Sequence, residues 1–113
     1  MTYQFTGNHY ISSLYGVKNI ADVDNLRNVF EVAIINAGAT IVGKTEKIFE
    51  DGGFTCVWLL QESHCSIHTY IEQQNIFVDF FTCGDSTNLG EFQDVISSLL
   101  TFERSESQRI IRN

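Results

Sequence analysis

Between Gln61 and Tyr70 the chain reads QESHCSIHTY, which sets two histidines, a cysteine and two serines in ten positions directly behind the apolar run Cys56 to Leu60. Residues of these types serve three chemistries: a metal site, a Cys/His nucleophile pair, or a serine that is itself converted into another group. Zinc would need a third and fourth ligand beside His64 and His68, which share one face of a strand; Cys65 or Cys83 would have to supply them. No zinc spacing is completed, and the His-x-x-x-His pattern lacks the glutamate of the zincin helix motif, so the expectation is no metal. A cysteine hydrolase would need one thiolate beside a histidine that an Asn or Asp orients. Cysteines in strand contexts, such as Cys56 and Cys65, more often pack as small core residues. Residue chemistry alone leaves the choice open.

Several elements must position these groups. His9 to Gly16, HYISSLYG, has the composition of a strand closed by glycine. From Asp22 the apolar positions Val23, Leu26, Val29, Phe30, Ala33, Ile34 and Ala37 recur at helical spacing, and Gly38 stands where a helix ends. Thr40 to Phe49 reads as a strand, EDGG as a turn, and FTCVWLLQE as the buried return strand. HCSIHTYIE and NIFVDFFTC form two more strands joined near Gln73 to Asn75. Behind the capping residue types of CGDSTN, the apolar positions Leu89, Phe92, Val95, Ile96, Leu99 and Leu100 predict a second helix. Arg104 to Asn113 suits either an edge strand or a frayed tail. Strands grouped around two helices predict an α+β fold, a two-layer sandwich with a mostly antiparallel sheet covered on one face by both helices. The chain has no proline, so glycine must make most of the corners.

Composition narrows the partners. The 113 residues, 43% hydrophobic, suit one domain. A chain of this length buries only about 60 to 70% of its unfolded surface, which favours self-association. A net charge of -7, with no Lys/Arg cluster to neutralise phosphates, argues against nucleic acid. No apolar run approaches the roughly 20 residues that span a bilayer, so no membrane segment is expected. Three cysteines without CxxC spacing, and an N-terminal stretch without a signal pattern, lead to the expectation of reduced thiols in the cytoplasm.

The order of the reactive residues adds more. ESHCSIHT followed by VDFFTCGD resembles the signature of the small prokaryotic S-adenosylmethionine decarboxylases, and the likeness extends to GNHYISSLYG, to NAGATIVG and to the serine-to-cysteine spacing. It covers most of the chain up to about residue 100. The resemblance implies self-cleavage between Glu62 and Ser63 into a β chain, 1–62, and an α chain, 63–113, with Ser63 becoming a pyruvoyl cofactor. The Ser63 hydroxyl would attack the preceding carbonyl to give an ester; β-elimination and hydrolysis of the dehydroalanine would follow. His68 matches the processing base, for which an ordinary pKa of about 6.5 is suited. Strict alternation puts Ser63 and His68 on opposite strand faces, so the backbone is expected to bend near Glu62 and Ser63 for the two to meet.

Other roles follow the same resemblance. Thr55 stands where a serine hydroxyl usually assists processing. Cys83 matches the proton donor, and the pyruvoyl ketone would form a Schiff base with the substrate amine and take up the electrons left when the carboxylate departs. Phe49 and Tyr70 match positions that stack on adenine, and Glu72 matches an acid for the ribose hydroxyls. Besides Thr55, three more departures stand out: Tyr70 where tryptophan is usual, Ile71 for a proline, and Asn8 for an arginine. Because relatives with the same machinery decarboxylate arginine or ornithine, those substrates are the alternative to S-adenosylmethionine, as is an uncleaved regulatory homologue. The expected product is the aminopropyl donor of spermidine synthesis, and the expected assembly is a homodimer whose active sites draw residues from both protomers.

Overall fold

Among the described residues, 6–83 and 87–113 of this computed structural model, the chain runs β1 Gly7–Tyr15, α1 Val23–Asn36, β2 Ile41–Ile48, β3 Phe54–Leu60, β4 Ser63–Tyr70, β5 Asn75–Cys83, α2 Leu89–Leu99 and β6 Arg104–Arg112. The Asp22 side chain starts α1 by accepting from the Asn25 N–H at 3.1 Å, and Asn88 does the same for α2 through Glu91 at 3.0 Å. Each such cap contributes about 1 kcal/mol. At the far end of α1, Gly38 takes φ +95; its N–H bonds the Ile35 carbonyl while that of Ala39 bonds Ile34. This pair of bonds is a Schellman stop, and it explains the glycine read from the sequence.

The strands form one sheet in the order β2-β3-β4-β5-β1-β6, with each neighbouring pair antiparallel. Burial alternates along β3, β4 and β5, so one face carries Phe54, Trp58, Ile67 and Phe80 into the core and the other stays open. Both helices lie on the core face. Phe30 of α1 stacks with Trp58 at 6.2 Å between centroids, and Phe92 of α2 meets Phe80 edge-on at 4.8 Å. Truncating such an aromatic to alanine costs about 3–5 kcal/mol. The expected two-layer α+β sandwich is therefore the fold.

Two details differ from the sequence reading or complete it. The tail is a strand: β6 pairs with β1 from Gly7↔Arg112 to Tyr15↔Arg104. Every one of its residues is exposed, so ladder hydrogen bonds hold it rather than a buried side, and no apolar alternation was there to read. Leu99, expected in the core stripe of α2, is half exposed, whereas Leu89, Phe92 and Ile96 are buried. No helix among the described residues is long and apolar enough to cross a membrane.

Candidate active site

The EDGG turn sets one end of the sheet. Gly52 adopts φ +91, Phe49 N–H bonds the Gly53 carbonyl at 2.8 Å, and Asp51 accepts from Gly53 N–H at 2.8 Å. Beside it a cleft of about 660 Å³ is lined by Phe49, Glu50, Asp51, Thr55, His68 and Tyr70, among others. A 3.1 Å hydrogen bond joins Thr55 Oγ1 to His68 Nδ1, across the register pair Thr55↔His68. If the hydroxyl donates, the ring keeps its other nitrogen protonated and Nδ1 fixed as acceptor. Tyr70 is half exposed and packs against Phe77 at 5.2 Å.

Ser63 lies at the other end. The β3–β4 hairpin turns through Gln61 and Glu62, with Leu60 paired to Ser63. Glu62 takes φ +66, a left-handed conformation that costs a non-glycine residue roughly 1–3 kcal/mol. The bend expected ahead of Ser63 is present. A cleft of about 220 Å³ runs past it, lined by Gly38, Ala39, Thr40, Gln61, Glu62, Ser63, Cys83 and Thr87. The Schellman stop of α1 delivers residues 38–40 to that wall, where the Thr40 carbonyl accepts from Gln61 N–H at 3.1 Å and anchors the hairpin turn. Ala37 carbonyl accepts from Asn88 N–H at 2.8 Å, tying the start of α2 to the same rim. Ser63 and Cys83, twenty residues apart in sequence, thus share one small polar cleft.

The bend does not bring His68 to Ser63. From Ser63 to Tyr70, β4 stays extended and is laddered to β3 and β5 on both sides. Five residues at about 3.3 Å each keep the two roughly 16 Å apart along the strand. Within one chain the candidate residues form two groups, Glu62–Ser63–Cys83 and Phe49–Thr55–His68–Tyr70. Glu72 belongs to neither wall; it is exposed in the turn 71–74.

The thiols are sorted by environment. Burial, and then the nearby Glu46 carboxylate, push Cys56 up to about 12. Burial likewise drives Cys65 well above the ordinary thiol value. Both face the core as inert thiols. Cys83 is half buried on the Ser63 cleft. His64 points from the open face while Cys65 is fully buried on the other, and among the described residues no three His, Cys, Asp or Glu side chains gather as a metal would require.

Sequence reasoning placed two sets of residues at no site, although it weighed His64 as a metal ligand. Glu50 and Asp51 border the Phe49–Tyr70 cleft, and only their turn role was legible. His9, His64 and Arg112 wall a further cleft beside Ser63; Arg112 arrives there through the pairing of β6, which the sequence did not settle.

Residues 8–113 match the S-adenosylmethionine decarboxylase family. An S-adenosylmethionine decarboxylase proenzyme of Archaeoglobus fulgidus is 41% identical over 85 residues, covering 74% of this chain and 76% of that one. A proenzyme 2 of Bacillus cereus is 36% identical over 114 residues, covering 99% and 93%. The crystal structure of the adenosylmethionine decarboxylase of Aquifex aeolicus superposes with a TM-score of 0.81 at 33% identity, covering 96% of this chain and 91% of that one.

Proposed function

Since this chain belongs to the S-adenosylmethionine decarboxylase family, we propose that it decarboxylates S-adenosylmethionine with a pyruvoyl group made from its own Ser63. The observation that carries this reading is the junction Glu62–Ser63: a left-handed residue held in a two-residue turn, followed by a half-buried serine that shares its cleft with Cys83. The turn supplies a strained, accessible carbonyl; the serine supplies the nucleophile. Attack by the Ser63 hydroxyl exchanges the peptide C–N bond for an ester. Loss of the Ser63 α-proton then expels Glu62 as a carboxylate, and water replaces the nitrogen, which leaves as ammonia. The products are chains 1–62 and 63–113.

The residues present fit a pyruvoyl group. The new ketone would sit in the polar cleft opposite a thiol able to donate a proton, with the other two thiols removed to the core. Once formed, the group supplies an electron sink for carboxylate loss. Cys83 returns a proton to the substrate carbon, and Phe49 with Tyr70 offers aromatic faces to an adenine ring. Glu50 and Asp51 beside those rings give the cleft negative charge suited to a sulfonium substrate. Glu72, on the exposed turn, is the acid for the ribose hydroxyls. The product is the aminopropyl donor of spermidine synthesis, and the three free cysteines favour a cytoplasmic setting.

His68 and Thr55 act from a second copy. The open sheet face carries Val57 and Leu59, exposed by 41% and 57%, with Tyr70 and Phe77 nearby. A two-fold axis between two such faces, running across the strands, sets the Ser63 end of one over the His68 end of the other. Release of carbon dioxide from S-adenosylmethionine by the wild type, and none by Ser63→Ala, is the expected result. Turnover of arginine or ornithine in place of S-adenosylmethionine would overturn the substrate, and no turnover of any of the three would overturn the activity.

A further inference from the structure

The second cleft beside Ser63, about 390 Å³, is built on Phe81. His64 stacks on that ring at 5.7 Å between centroids, His9 meets it edge-on at 6.1 Å, and the Arg112 guanidinium carbon lies 5.6 Å from its centre. A Cβ at Gly7 would fall 2.6 Å from the ring, so the bare backbone there makes room for it. Glu62 borders this cleft as well as the Cys83 cleft. Arg27, Lys44 and Arg104 each have a carboxylate within 3.1 Å; among the described residues Arg112, like Lys18, Lys47 and Arg109, makes no ion pair.

Cleavage at 62/63, the reading above on which this inference rests, changes the charge at this place. The neutral Glu62 carbonyl becomes a carboxylate next to the side-chain carboxylate of the same residue. We propose that Arg112 is the positioning residue for that new carboxylate, holding the end of chain 1–62 on the Phe81 side and away from the Ser63 ketone. The charged and titratable groups facing it are Arg112, His9, His64 and the Glu62 side chain. His9 is already engaged, its Nε2 lying 3.2 Å from Asp79 Oδ1. Arg112 alone in this set is positive at every working pH, and its planar fork, steadied by the ring face, matches a carboxylate in a bidentate way.

The cleaved protein offers a direct readout. With glutamate labelled by carbon-13 at C1, every labelled carbonyl is an amide except that of Glu62, so one resonance titrates. In the wild type at low salt its pKa should lie about half a unit or more below the ordinary α-carboxyl range of roughly 3.3–3.7. Arg112→Gln should return it to that range and Arg112→Lys should fall between. At neutral pH, carboxypeptidase should trim Glu62 at least about fivefold faster in Arg112→Gln than in the wild type, with Arg109→Gln on the same strand unchanged. Should Arg112→Gln fail to fold, the wild type alone suffices, because salt raised from about 0.05 to about 0.5 M should lift the depressed pKa. An α-carboxyl pKa that is ordinary in the wild type, or unmoved by Arg112→Gln, overturns the proposal whatever the trimming rate. A wild type with no titrating resonance has an intact 62/63 bond, which refutes the processing reading itself and this inference with it.

Discussion

In the proposed reaction Ser63 makes the catalyst and Cys83 serves its use, so substitutions at the two should fail differently. Cys83→Ser should still cut at 62/63, because processing needs no thiol, yet turnover should fall by about 10²- to 10⁴-fold, the usual contribution of a positioned proton donor. Gel separation of the fragments beside a carbon dioxide assay checks both halves; loss of cleavage in this variant would contradict the division. Strand context marked Cys56 and Cys65 as core residues but did not give Cys83 an environment of its own. The structure does, since Cys56 and Cys65 are buried with raised pKa values while Cys83 borders a cleft. What was legible at this scale was the residue types and their order. What was not was that β4 runs straight on behind the turn at Glu62 and keeps Ser63 and His68 at its opposite ends.

The β3–β4 hairpin carries the strain that the processing account needs. Glu62→Gly would accept φ +66 without the side-chain penalty, so it should leave the melting temperature unchanged or higher and slow cleavage by roughly tenfold. A time course of fragment appearance measures this, and cleavage as fast as the wild type would show that the turn stores nothing useful. A separate staple holds α1 to β2: Arg27 gives Glu46 two bonds, 2.8 and 2.6 Å, and Asp24 a third at 2.8 Å. The hydrogen bond from Arg27 holds Glu46 below its ordinary 4.5. A carboxyl depressed in the folded state stabilises above its unfolded pKa and loses that contribution as pH falls through the folded one. Glu46→Gln should therefore cost about 1 kcal/mol at pH 7 and progressively less below pH 4.5, read as urea midpoints at several pH values. Most elements were legible because apolar spacing dictates them. β6 was not, since its order comes from pairing with β1.

At the scale of the molecule, one chain holds its candidate residues in two groups roughly 16 Å apart. The sequence puts Ser63 and His68 five residues apart; only the sheet shows that β4 holds them at opposite ends of its length. If two copies complete each other, Ser63→Ala and His68→Ala proteins should each stay uncut alone. Co-expressed, they should produce cleaved His68→Ala chains, because one site in each mixed dimer regains both residues. No cleavage in the mixture would place His68 in the same chain as its serine, or outside the reaction.

If Ser63 turns itself into the catalyst, the mass of the intact purified protein shows it most directly. Two fragments are predicted, one ending at Glu62 and one whose first residue is lighter by one ammonia than an N-terminal serine. A single full-length mass, or a 63–113 fragment that begins with an unaltered serine, would contradict it.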